Sequence, residues 1–149
     1  MIERIKRFQK ILSTREKVRN EERLLLSEKR NYEQNIVSLM NGLQEEKQQA
    51  LHVFSTQDNC LFSPQDMWYR RKSIDCIERK LDEAHEALLQ IQYAIRQSEE
   101  RLLQKHKDVK VMETYLGKMK DEYNQVVSRM EQEELDDIAT IRFENKSGE

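Results

Sequence analysis

The chain holds 149 residues, 36% of them charged and only 37% apolar, with three Gly and one Pro, which excludes a compact domain built from many short elements. A net charge of −2 provides no overall attraction for nucleic acid or an anionic membrane surface. No apolar run reaches the roughly 18 residues of a membrane span, and the opening MIERIKRFQK lacks the apolar core of a signal peptide, so a reduced, cytoplasmic setting is expected for Cys60 and Cys76.

So few breaking residues require few, long elements. A seam between two helices buries only a stripe and tolerates this much charge. The first element is expected as a helix over about residues 2–54. It opens on a basic segment, with ten Lys or Arg against five Glu in residues 1–30. Its heptad a positions read Phe8, Arg15, Glu22, Lys29, Ile36, Leu43 and Ala50, and its d positions Ile11, Val18, Leu25, Tyr32, Leu39, Glu46 and Val53. Gly42 costs about 1 kcal/mol in a helix but has no turn signal after it, so the helix is expected to run through.

Loop chemistry is confined to residues 55–63. Ser63, Pro64 and Asp66 then form a helix start: a serine N-cap, a proline where no N–H is needed, and an acidic residue answering the cap. The second helix is expected over about 64–142, followed by a short tail, 143–149. Met67, Ile74, Leu81, Leu88, Ile95, Leu102, Val109, Leu116, Tyr123 and Met130 occupy its a positions without interruption. Its d positions are Ile77, Ala84, Ile91, Ser98, Lys105, Met112, Met119 and Val126. The expected fold is therefore all-α: one domain over 1–149, a two-helix antiparallel coiled-coil hairpin with a longer second helix.

Folding the chain back near residue 60 pairs residues whose numbers add to about 120. Leu39 then faces Leu81, Tyr32 faces Leu88, Leu25 faces Ile95, and the polar Glu22 meets Ser98. In this register helix 1 ends opposite about Leu116. Met119, Tyr123, Val126 and Met130 continue the apolar stripe beyond it, expected to face water and to serve as a partner surface, and Gly117 stands where that overhang could bend.

No catalytic, cofactor or metal residues are assigned. A two-helix hairpin offers no enclosed cleft, His52, His85 and His106 are isolated, and Cys76, at a c position, is expected to be exposed. Trp68 and Tyr69 point largely outward ahead of Arg70 and Arg71. They read either as an aromatic clamp over Leu61 and Phe62 or as a recognition patch, because Trp, Tyr and Arg dominate binding hot spots.

The opening Met1-Ile2-x-Arg4-Ile5-x-Arg7, the segment Phe62-Ser-x-x-Asp-Met-Trp68, the runs Arg71-Lys-Ser-Ile74 and Ile77-Glu-Arg-Lys-Leu-Asp-Glu83, and the acidic Glu131-Gln-Glu-Glu134 resemble the FliJ/YscO family of type III secretion stalk proteins. The loop segment is similar to the InvI/SpaM virulence branch. The resemblance implies a non-enzymatic stalk at the cytoplasmic base of a membrane secretion apparatus, with no nucleic acid bound and no membrane insertion. Its implied partners are the hexameric secretion ATPase, the cytoplasmic domain of the export gate, and secretion chaperones. Arg4, Lys6, Arg7, Met119, Tyr123, Val126 and Met130 would then serve the ATPase ring, and Trp68, Tyr69, Arg70 and Arg71 the export gate. The rival readings are a generic coiled-coil scaffold or homodimer, and an export chaperone whose overhang sequesters a client helix.

Overall fold

The computed structural model describes residues 1–56 and 63–148, with Ser55 and Thr56 as backbone. Two helices make up nearly all of these residues, α1 (Ile2–Thr56) and α2 (Pro64–Ser147), and no strand occurs among the described residues. The start of α2 is capped as its residue types require: the Asp66 N–H donates to Ser63 Oγ at 3.2 Å and the Met67 N–H to Ser63 O at 3.2 Å. Its end corrects the expected boundary. No breaking residue follows Arg142 until Gly148, whose N–H donates to Glu144 O at 3.1 Å, so most of the expected tail is helical. Lys146 in the last turn faces the negative end of the helix dipole.

Packing divides the chain into two units. The inner unit, Glu21–Leu102, is an antiparallel pairing of α1 and α2 segments. Leu43 of α1 forms a buried cluster with Ile77 and Leu81 of α2, and Met40 packs against it. Ile74, Ile77, Leu81, Ala84, Ile95 and Ser98 are buried, all at the expected a and d positions of α2.

On α1 the expected seam is only half right. Glu22, Ile36 and Leu43 are buried as anticipated, but Leu25, Tyr32 and Leu39 are 47%, 54% and 56% exposed. Their successors turn inward instead: Leu26 is buried, and Glu33, Met40 and Lys47 are half-buried. The pairings Leu39–Leu81, Tyr32–Leu88 and Leu25–Ile95 are therefore corrected. The α1 seam lies one residue further along, and facing residues such as Leu43 and Leu81 have numbers adding to about 124, a shift of roughly one helical turn. Charged Glu33 and Lys47 are tolerated because long side chains lay their stems on apolar surface while their heads reach water. Lys47 Nζ indeed lies 3.3 Å from Glu78 Oε1.

The terminal unit, Met1–Asn20 with Leu103–Glu149, shows the same phase by itself. Ile5, Leu116 and Met119 form its buried cluster, with Phe8, Leu12 and Tyr123 packed against it. This phase covers about one more turn of α2 than the expected register does, which adds apolar burial that the alternative lacks.

Neither Gly42 nor Gly117 has a positive φ, and a Cβ built at either meets nothing within 4 Å. The helix is unbroken at Gly117. Gly42→Ala and Gly117→Ala should each stabilise the fold by about 1 kcal/mol, read as a raised urea midpoint at unchanged slope. A lowered midpoint would mean that one of these positions needs a conformation alanine resists.

Candidate partner-binding surfaces

In the terminal unit the three basic residues of the α1 start differ in their engagement. Arg4 donates to Tyr115 Oη at 3.1 Å and stands 5.9 Å from the Phe8 ring centre, while Lys6 and Arg7 are exposed. Phe8 and Tyr115 meet edge to face at 5.2 Å. Tyr115 was not singled out from sequence because it lies off the a and d stripes. Its signal is visible only once Phe8 is known to sit opposite.

The expectation that Met119 and Tyr123 face water is corrected. Met119 is 7% exposed against Ile5 and Leu116, and Tyr123 is half-buried on the same cluster. Val126 and Met130 are exposed as expected, at 44% and 58%. From Ser128 to Ser147 every α2 residue is exposed. At 100° per residue, Val126, Met130, Ile138 and Ile141 fall within about a third of the helix circumference. Glu134 and Asp137 fall within the same arc, Glu131 and Glu133 flank it, and Asp136 lies on the far side.

In the inner unit Trp68 and Tyr69 are exposed and stack edge to face at 5.1 Å. Lys72 Nζ sits 5.5 Å from the Trp68 ring centre, Arg71 is exposed and Arg70 is half-buried. Leu61 and Phe62, over which a clamp would close, lie outside the described residues, as does Cys60. Cys76, expected to be exposed, is half-buried, with the Arg79 guanidinium donating to its Sγ at 3.8 Å.

The inner unit also holds a buried polar node. Ser98 Oγ donates to Glu22 Oε1 at 2.7 Å, and Arg101 Nε donates to the same oxygen at 3.3 Å. Glu22 is 5% exposed and Ser98 fully buried, so the carboxylate keeps charge-assisted partners in place of water. Glu22 and Ser98 meet as the sequence suggests. Arg101 as a third member was not anticipated.

The depressions along the inner unit are open grooves, one of about 550 Å³ lined by Arg30, Glu33, Val37, Ile95 and Glu99 among others. Among the described residues no cluster of His, Cys, Asp or Glu is arranged to hold a metal ion, and no helix is long and apolar enough to cross a membrane.

Comparison with curated proteins and with solved structures finds no match. The family model described as "Flagellar FliJ protein" matches residues 4–148, nearly the whole chain and both helices. The chain belongs to the FliJ family.

Proposed function

We propose that this chain is the central stalk and adaptor of a bacterial type III export apparatus, linking the hexameric secretion ATPase to the export gate and promoting protein export. The observation that carries this reading is the α2 segment beyond Tyr123, where an apolar stripe stands exposed on a helix that α1 no longer accompanies. Burying each such side chain is worth about 1.5–3 kcal/mol, so a ring pore that grips this segment gains substantially. Val126 and Met130, with Lys6 and Arg7, would be the contacts, and Arg4 would contribute through its hold on Tyr115. Met119 and Tyr123 would support the segment from beneath. The family match over residues 4–148 supports a non-enzymatic role in an export system of the virulence or flagellar type, and residues 62–83 resemble the InvI/SpaM branch. The test is co-purification of the full chain with the hexameric ATPase and stimulation of ATP hydrolysis. Self-association with no effect on hydrolysis would favour the scaffold reading instead.

The export gate would be met by Trp68, Tyr69, Arg70 and Arg71. Trp68→Ala with Arg71→Glu should leave helicity and melting temperature nearly unchanged, because both side chains are exposed, yet weaken gate binding about tenfold or more, as expected for a hot-spot aromatic and a reversed charge. A fall of many degrees in melting temperature would mark the cluster as a structural clamp. Secretion chaperones are the remaining proposed partners.

A further inference from the structure

The geometry points to a second register for this hairpin, reached when α1 slides about one turn along α2, so that the pairing is a two-state element and not a single fixed seam. In the inner unit α1 carries two competing apolar stripes. The occupied one turns in Leu26, Glu33, Met40 and Lys47, two apolar and two charged residues. The unoccupied one, a residue earlier, is Leu25, Tyr32, Leu39 and Glu46, with three apolar members all left substantially exposed. Both stripes share Glu22, Lys29, Ile36 and Leu43, so passing between them requires only a roll of α1 by roughly 50° and a slide of about 6 Å.

Three further observations favour a switch over a simple preference. In the second register Leu39, Tyr32 and Leu25 come to face Leu81, Leu88 and Ile95, which already form the α2 seam. The same register sets Glu22 directly opposite Ser98, whose hydroxyl already donates to it at 2.7 Å, so the buried carboxylate keeps a partner in both. In the terminal unit the present phase has a visible cost: the half-buried Arg19 has its Nε buried without a hydrogen-bond partner while its neighbour Val18 is 38% exposed. The seven residues 57–63, at about 3.3 Å each when extended, are long enough to join the helices in either register. Packed seams have discrete arrangements, so a slide of this kind is a step between two states. The inference rests on the seam alone and does not need the ATPase reading.

The test uses spin labels on Glu45→Cys and Arg96→Cys, both exposed and both in the inner unit, in the full chain with Cys60→Ser and Cys76→Ser. The second register lengthens the label separation by about 6 Å, which pulsed electron paramagnetic resonance resolves. Leu26→Ser with Met40→Ser weakens the occupied stripe and should move most of the distribution to the longer distance with helicity retained. Leu25→Ser, Tyr32→Ser and Leu39→Ser together should leave only the shorter distance. A distribution that stays at the shorter distance in the Leu26/Met40 variant, or a variant that loses its helicity and thus has no second seam to fall back on, overturns the inference.

Discussion

Leu81→Asp is expected to unfold most of the inner unit. Leu81 is 9% exposed in the cluster with Leu43 and Ile77, and the substitution both removes apolar contacts and sets a carboxylate among apolar side chains. Loss of a buried leucine costs about 2–5 kcal/mol, and an unpaired buried charge adds several more, a total comparable with the whole stability of an ordinary domain. Circular dichroism should show a large loss of helicity at 25 °C. Leu39→Asp is the control: Leu39 is 56% exposed, and the same charge there should cost less than about 1 kcal/mol. Equal damage from both would mean that Leu39, and not Leu43, occupies the layer against Leu81, returning the seam to the phase anticipated from sequence.

The second large effect concerns the exposed end of α2. Replacing Val126, Met130 and Ile141 with Ser removes three exposed apolar side chains, so the melting temperature should change little. If a partner buries all three, the lost burial amounts to about 4 kcal/mol or more, roughly a thousandfold weaker binding. Stimulation of ATP hydrolysis by the secretion ATPase should then vanish at concentrations that saturate with the parent chain. Met119→Ser would be a poor substitute for this test, because Met119 is 7% exposed in the terminal unit's own core and its loss would destabilise the chain before any partner is involved. Undiminished stimulation by the triple variant would remove the terminal α2 stripe from the ATPase interface.

Exposed ion pairs carry little weight beside these effects. Arg30–Glu99 at 3.0 Å and Lys110–Glu113 at 3.3 Å have side chains largely in water, where such pairs contribute at most about 1 kcal/mol. The Glu22–Ser98–Arg101 node differs because its carboxylate is buried, and polar groups in a coiled-coil seam serve to select a pairing.

What the sequence alone determined is the α2 seam from Ile74 onward, although Met67, expected to open it, is 49% exposed, together with the helix start at Ser63-Pro64, the long two-helix architecture and the meeting of Glu22 with Ser98. Apolar residues fill the α2 heptad positions nearly without interruption, so a single phase satisfies them, and the capping residues act through local hydrogen bonds that need no distant partner. The phase of α1 was decided only by the tertiary structure. Its apolar residues lie in two adjacent stripes, Leu25, Tyr32 and Leu39 beside Leu26 and Met40, and heptad counting favours the more apolar one. The choice turns on terms that single-helix periodicity does not contain: the packing of Ile5, Phe8 and Leu12 onto Leu116 and Met119, the reach of Lys47 to Glu78, and Arg101 as the third member of the Glu22–Ser98 node. Each of these joins residues far apart in the chain, and the same register hides Met119 while leaving Val126 and Met130 open to a partner.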